Sequence, residues 1–300
     1  MSHPVPSMSA CRRVARRLGV AAIAAVLLAA CGKAKPPEIP FASYDAGYAT
    51  KPDFAQLEHR YPLSTADLAK ITPENLAVLS QEQLDQIYAR LSAGPIPDGP
   101  FDGSIIFPGG ESGKLRAGEI VGGLVGFALH LKGIALDKIG ETLWRGKVFY
   151  RDQRVLRNRI EDLETFRKIG LIEGEPQKIT VGRKDAWLLF PAKLFCGQSL
   201  LDSRRESIII DYAFTDELPG YQEKPDFLAG RRGLKVRDEI RMVRPGLYLG
   251  RAYMDRVFVL NFVLYSEAIA DRDGPAFRKT GTVQEDCWGG TQQRVVVAAK

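Results

Sequence analysis

From residue 144 onward, apolar and polar positions alternate in short runs, the period of a half-buried β-strand. The runs at 147–150, 155–159, 179–181, 187–190, 207–214, 236–243, 247–254 and 257–265 are predicted strands, most of them joined by short turns. Earlier in the chain the period is helical. Ile120, Leu124, Phe127, Leu131, Ile134 and Ile139 predict one long helix over 119–144, with Lys132 and Asp137 arguing against a membrane span. It reads either as a core helix crossing a sheet or as an interfacial helix.

Residues 64–87 repeat with a period of eight: STADLAKI, TPENLAVL, SQEQLDQI. Each unit opens with Ser or Thr, and Ser64, Thr72 and Ser80 are predicted N-caps of short helices. The apolar pairs, such as Leu76 and Leu79, fit a helical lid on the core or an arm that docks a partner. The element order predicts an α+β fold: mainly an antiparallel β-barrel or strongly curved sheet, with one long helix and an N-terminal arm of short helices. The expected organisation is a leader over 1–30, a Pro-rich tether over 31–60 and the arm over 61–94. A β-rich ligand-binding domain over 95–270 and a loop-like tail over 271–300, with a short strand at 294–297, complete it.

The leader changes the meaning of the charge. Arg12, Arg13, Arg16 and Arg17 precede an uncharged run from Leu18 to Ala30, the composition of a secretory signal. The formal charge of +6 includes those four arginines, so residues 31–300 carry only +2. A near-neutral chain lacks the basic footprint of a nucleic-acid binder. Leu28-Ala29-Ala30-Cys31 resembles the lipobox of bacterial lipoproteins. That resemblance implies cleavage before Cys31, lipid such as palmitate on that cysteine, and attachment to a membrane. Gly32, where the family's inner-membrane retention signal has aspartate, implies an outer-membrane lipoprotein facing the periplasm. An ordinary signal peptide that happens to contain a cysteine is the alternative.

With Cys11 in the leader and Cys31 lipidated, Cys196 and Cys287 remain for one disulfide in an oxidising compartment, or stand as two separate thiols. No cofactor or metal motif appears. The run P-G-G-E-S-G-K fails as a phosphate loop, because Pro108 replaces its first glycine and Leu115 its Ser/Thr. Only two histidines, His59 and His130, lie outside the leader, which argues against a multi-histidine metal site, and no G-x-S-x-G occurs. The reading leans away from an enzyme, leaving a hydrolase using Asp/Glu as one alternative.

Pairing 236–243, 247–254 and 257–265 through the turns Pro245-Gly246 and Asp255-Arg256 puts Ile240 and Leu260 opposite Arg251. In that register Asp238, Arg251 and Tyr253 share an otherwise apolar face with Met242, Leu247, Leu249, Phe258, Phe262 and Leu264. Either Asp238 and Arg251 form a structural ion pair, or Arg251, Tyr253 and Asp238 anchor the head group of a small amphipathic or lipid-like ligand in an apolar β cavity. An accessory subunit docking an envelope partner through the arm is a further alternative. The blocks W-R-G-K-V-F (from Trp144), D-E-I-R (from Asp238) and P-G-L-Y-L-G (from Pro245) resemble segments of uncharacterised bacterial proteins, which implies no particular activity.

Overall fold

Strands that alternate apolar and polar residues must bury one face, and here the sheet does so by closing on itself. The computed structural model describes residues 34–44, 53–109, 144–168, 170 and 172–290. Its strands are β1 (Gly99–Ile106), β2 (Trp144–Tyr150), β3 (Val155–Ile160), β4 (Lys178–Val181), β5 (Lys184–Gln198), β6 (Glu206–Asp211), β7 (Val236–Arg244), β8 (Leu247–Met254) and β9 (Val257–Tyr265). They are ordered β3-β2-β1-β9-β8-β7-β6-β5-β4, and the additional pairing of β3 with β5 closes eight of them into an antiparallel barrel. Strand β4 is an extra strand on the first part of β5.

The closing strand is longer than the run at 187–190 suggests, because it continues through Pro191. The β3–β5 register shifts between Leu156 and Asn158, and Phe190 takes a positive φ of 50°. A proline is tolerated at such an irregularity because the ladder needs no donor there. The barrel interior is filled by Phe101, Phe149, Leu156, Leu194, Ile208, Ile210, Ile240, Met242, Tyr248, Phe262 and Leu264, among others. At Gly250 an added Cβ would lie 2.2 Å from the Phe262 ring, so only glycine lets that ring cross the interior.

The eight-residue repeat becomes three helices in succession, α2 (Thr65–Ala69), α3 (Pro73–Leu76) and α4 (Gln81–Arg90), preceded by α1 (Phe54–Arg60). Ser64, Thr72 and Ser80 each close a reciprocal capping box, with Asp67, Asn75 and Gln83 respectively. Ile71, Leu76, Leu79, Leu84, Ile87 and Leu91 cover Val243, Leu247, Leu249 and Val263 on the outside of the barrel. Part of the stretch expected as a free tether is bound to this arm. Ile39 and Phe41 pack against it, and Ala42 exchanges two hydrogen bonds with Gln86 (2.9 and 3.0 Å).

The tail also departs from its expectation as loop. Residues Glu267–Thr280 form α7, the longest described helix, despite Pro275 within it. Phe277 and Gly274 are buried, and Gly281 ends the helix in the left-handed conformation with its amide on Phe277 O. Two shorter helices, α5 (Leu163–Lys168) and α6 (Glu223–Asp226), sit in the connections. The leader with Cys31, the stretch 119–143 of the expected long helix and the strand at 294–297 lie outside the described residues. Trp144, expected to end that helix, instead opens β2. Among the described residues no helix is long and apolar enough to cross a membrane.

Beyond α7 the chain runs back across one end of the barrel and is fastened there. Cys287 is bonded to Cys196 of β5, and the carboxylate of Glu285 accepts from Ser92 Oγ and from Gly94 N–H (2.7 Å for the latter). Asp286 accepts from Ile96 N–H at 2.8 Å. The disulfide closes a loop of 91 residues. Replacing both cysteines by serine is therefore expected to lower unfolding free energy by about 4–5 kcal/mol on the chain-entropy relation, measured by denaturant titration. Equal stability of the two proteins would show that the staple constrains nothing.

Candidate functional site

Whether a polar residue faces the barrel interior is decided by one-residue details of register. In the β7–β8 hairpin Arg244 pairs with Leu247 as expected, but the register shifts between Met242 and Arg244, so Ile240 pairs with Gly250 and Glu239 with Arg251. A second shift, between Ala252 and Tyr253, pairs Leu260 with Ala252 and Asn261 with Arg251. Such a slip moves side chains to the opposite face. The expected face therefore splits. Asp238, Ile240, Met242, Leu260, Phe262 and Leu264 turn into the barrel, whereas Leu247, Leu249, Arg251 and Tyr253 lie outside it beneath the arm. The expected Asp238–Arg251 pair is not formed.

Arg251 instead meets the arm. Its Nη1 pairs with Asp85 of α4, its Nε donates to Tyr253 Oη at 3.0 Å, and its guanidinium lies 4.3 Å from the centre of the Phe258 ring. Gln81 Nε2 donates to Asp85 at 2.7 Å, and Asn261 Nδ2 donates to Gln81 at 2.6 Å, so arm and barrel share one closed polar network. Both charges of the ion pair are 1 % exposed. Burial alone would lower the Arg251 pKa, but the Asp85 carboxylate and then Tyr253 outweigh it and raise it. Tyr253 itself is pushed up to about 12, chiefly by burial. Arg241, also fully buried, donates to Ser207 Oγ and to the carbonyls of Tyr88, Asp202 and Arg205.

Inside the barrel Asp238 has a different cation. Lys147 Nζ lies 2.9 Å from Asp238 Oδ2, 2.8 Å from Asn158 Oδ1 and 2.7 Å from Tyr212 Oη. Rings of Trp144, Tyr212 and Phe262 surround it at 5.4 Å each. Lys147, Asn158 and Tyr212 did not stand out in the sequence. Lys147 and Asn158 face each other only once β2 and β3 pair, and Tyr212 follows the last residue of β6.

A cleft of about 330 Å³ opens where the arm, β7, α7 and the C-terminal strap meet. Leu63, Leu68, Met242, Val243, Phe277 and Val283 supply apolar wall, Arg90 and Arg205 supply two guanidinium groups, and Ser92 and Glu285 supply a hydroxyl and a carboxylate. Arg205 bonds both oxygens of Glu58. Arg90 is 7 % exposed, and all its hydrogen bonds go to carbonyls, those of Gln86, Pro40 and Tyr61. Among the described residues it pairs with no carboxylate, its Nη2 has no partner, and burial lowers its pKa to about 10. Neither arginine carries a sequence signal, because the surroundings of each are set only by tertiary packing.

Cys196, Glu206 and Cys287 bring three metal-ligating groups together, but both sulfurs are in the disulfide. No protein-family model, curated protein or solved structure matches this chain.

Because Arg251 and Asp85 are both desolvated, Arg251→Met strands a buried carboxylate and is expected to cost about 3–5 kcal/mol. Combining it with Asp85→Leu should recover most of that loss, whereas combining it with Asp238→Leu should not. A double-mutant cycle by chemical denaturation checks this, and coupling of Arg251 to Asp238 rather than Asp85 would contradict the register.

Proposed function

We propose that this chain is a lipid-anchored protein of the cell envelope that binds a small amphipathic anion, and that it does so in the cleft between arm, barrel and C-terminal helix rather than in the barrel lumen. The observation that carries this reading is Arg90: a buried guanidinium hydrogen-bonded only to carbonyls, in the wall of a cleft that mixes apolar side chains with Ser92, Arg205 and Glu285. Glu58 and Asp67 offset part of the burial cost of this cation but neither bonds it, and an incoming carboxylate or phosphate would relieve the remainder. The apolar side chains opposite suit a short aliphatic body, and a few placed polar groups among apolar walls are the usual composition of a small-molecule site. Among the described residues the lumen offers no comparable cation, since Lys147 is already paired with Asp238.

The lipobox supports the anchor. Acyl chains add about 0.8 kcal/mol per buried methylene, and two or more anchor stably.

Octanoate titrated into the protein by calorimetry is expected to bind, and Arg90→Met to weaken that binding by roughly 1.5–3 kcal/mol, the scale of a charge-assisted hydrogen bond. Leu68→Trp, which fills the apolar side of the cleft and leaves Arg90 in place, should weaken it as well. Binding that neither substitution alters places the site elsewhere. For the anchor, Cys31→Ser should move the protein from the membrane fraction to the soluble one, and a serine variant that still pellets with membranes in high salt removes the lipoprotein reading.

A further inference from the structure

The buried cluster around Lys147 holds an amine in contact with both a carboxamide and a carboxylate, an arrangement beyond what an ion pair requires. Lys147 and Asn158 are directly paired residues of β2 and β3, with Lys147 Nζ 2.8 Å from Asn158 Oδ1. The amide oxygen also accepts from Trp144 Nε1–H at 2.9 Å, a donor placed where negative charge develops when the carbonyl carbon is attacked. The amide nitrogen is held from its other side, donating to Phe190 O (3.0 Å) and to Tyr212 Oη (2.9 Å). Tyr212 Oη lies in turn 3.3 Å from Asp238 Oδ2. A hydroxyl thus bridges the carboxylate that contacts the amine and the nitrogen of the amide.

We propose that this cluster is a self-crosslinking site, in which Lys147 Nζ forms an isopeptide bond to Asn158 Cγ and ammonia is expelled. Asp238 first takes a proton from the Lys147 ammonium along their 2.9 Å contact. The freed electron pair on Nζ attacks Cγ, and the carbonyl electrons move to Oδ1, which the Trp144 indole stabilises. Asp238 passes its proton through the Tyr212 hydroxyl to Nδ2, the Cγ–Nδ2 bond breaks, and ammonia departs as the carbonyl reforms. The second proton lost by Nζ remains on Asp238. The step needs no oxidant, reductant or cofactor: an ion pair and an amide become a neutral carboxylic acid, a new amide and ammonia.

The environment favours this outcome. The side chains of Lys147 and Asp238 are 3 % and 6 % exposed, so water does not compete for the carbonyl. Burial opposes the Lys147 charge, but Asp238 and Tyr212 outweigh it and raise its pKa, so the ammonium is the resting form and the amine becomes nucleophilic only as its proton moves along the Asp238 contact. Holding the two groups on paired strands replaces a bimolecular encounter by an intramolecular one, an advantage that reaches several orders of magnitude in rate. The product also replaces a desolvated ion pair with neutral groups, removing a burial cost.

The test is mass spectrometry of the purified full chain after reduction of its disulfide. Once the mass change from processing at Cys31 is allowed for, the intact mass is expected to be lower than the sequence mass by one ammonia. Trypsin should fail to cut after Lys147 and should yield a branched peptide joining residues 146–151 to residues 158–159. Asn158→Ala and Asp238→Ala should each restore the sequence mass and cleavage at Lys147, as read on whatever fraction of the variant is soluble. A wild-type chain with the full sequence mass and normal cleavage at Lys147 overturns the proposal. So does loss of ammonia without the branched peptide, which would place a succinimide elsewhere in the chain.

Discussion

The arrangement rests on the buried ion pair between Arg251 on the barrel wall and Asp85 on α4. Each charge alone would be untenable at that depth, so neither the arm nor the wall can be buried without the other. The hydrogen-bonded side chains of Gln81, Asn261 and Tyr253 complete the network, and the apolar contacts of Leu84 and Ile87 with the barrel surround it. With the arm fixed, its Leu63, Leu68 and Arg90 become one wall of the cleft, while the strap held by Cys287 and Glu285 becomes the facing wall. The site is thus made by two attachments to the barrel, one electrostatic and one covalent.

Closure of the sheet separates two kinds of polar chemistry. Outside, buried arginines tie the arm and the loop before β6 to the barrel, as Arg241 does through three backbone carbonyls. Inside, one lysine is enclosed by aromatic rings and meets Asp238, Asn158 and Tyr212. The two clusters arise from neighbouring strands, and alternate residues of β7 contribute to each: Asp238 points in, and Glu239 accepts from Leu200 N–H outside. A single strand therefore positions both sites through its period of two.

Much of this was legible in the chain itself. Alternation after residue 144 announces the strands, and the Ser/Thr positions of the eight-residue repeat announce three helix starts, each of which caps as its residue types demand. The β8–β9 turn also pairs Met254 with Val257 as read. What escaped were features with no local signature. Two bulges shift the register of β8 against its neighbours and send Arg251 outside. The helix over Glu267–Thr280 is concealed by Pro275, and the path of β5 by Pro191, since both residues ordinarily end such elements. The pairing of Lys147 with Asn158 and the burial of Arg90 against carbonyls belong to the folded chain alone, because partners for buried polar groups are recruited across long sequence distances.

The central claim is that the ligand lies outside the barrel, between the arm and the C-terminal strap. Anomalous scattering from crystals soaked with bromine-labelled octanoate locates it directly. The account predicts a bromine peak among Leu63, Leu68 and Phe277, with the carboxylate at Arg90. A peak within the barrel, among Ile208, Ile240 and Phe262, would contradict it.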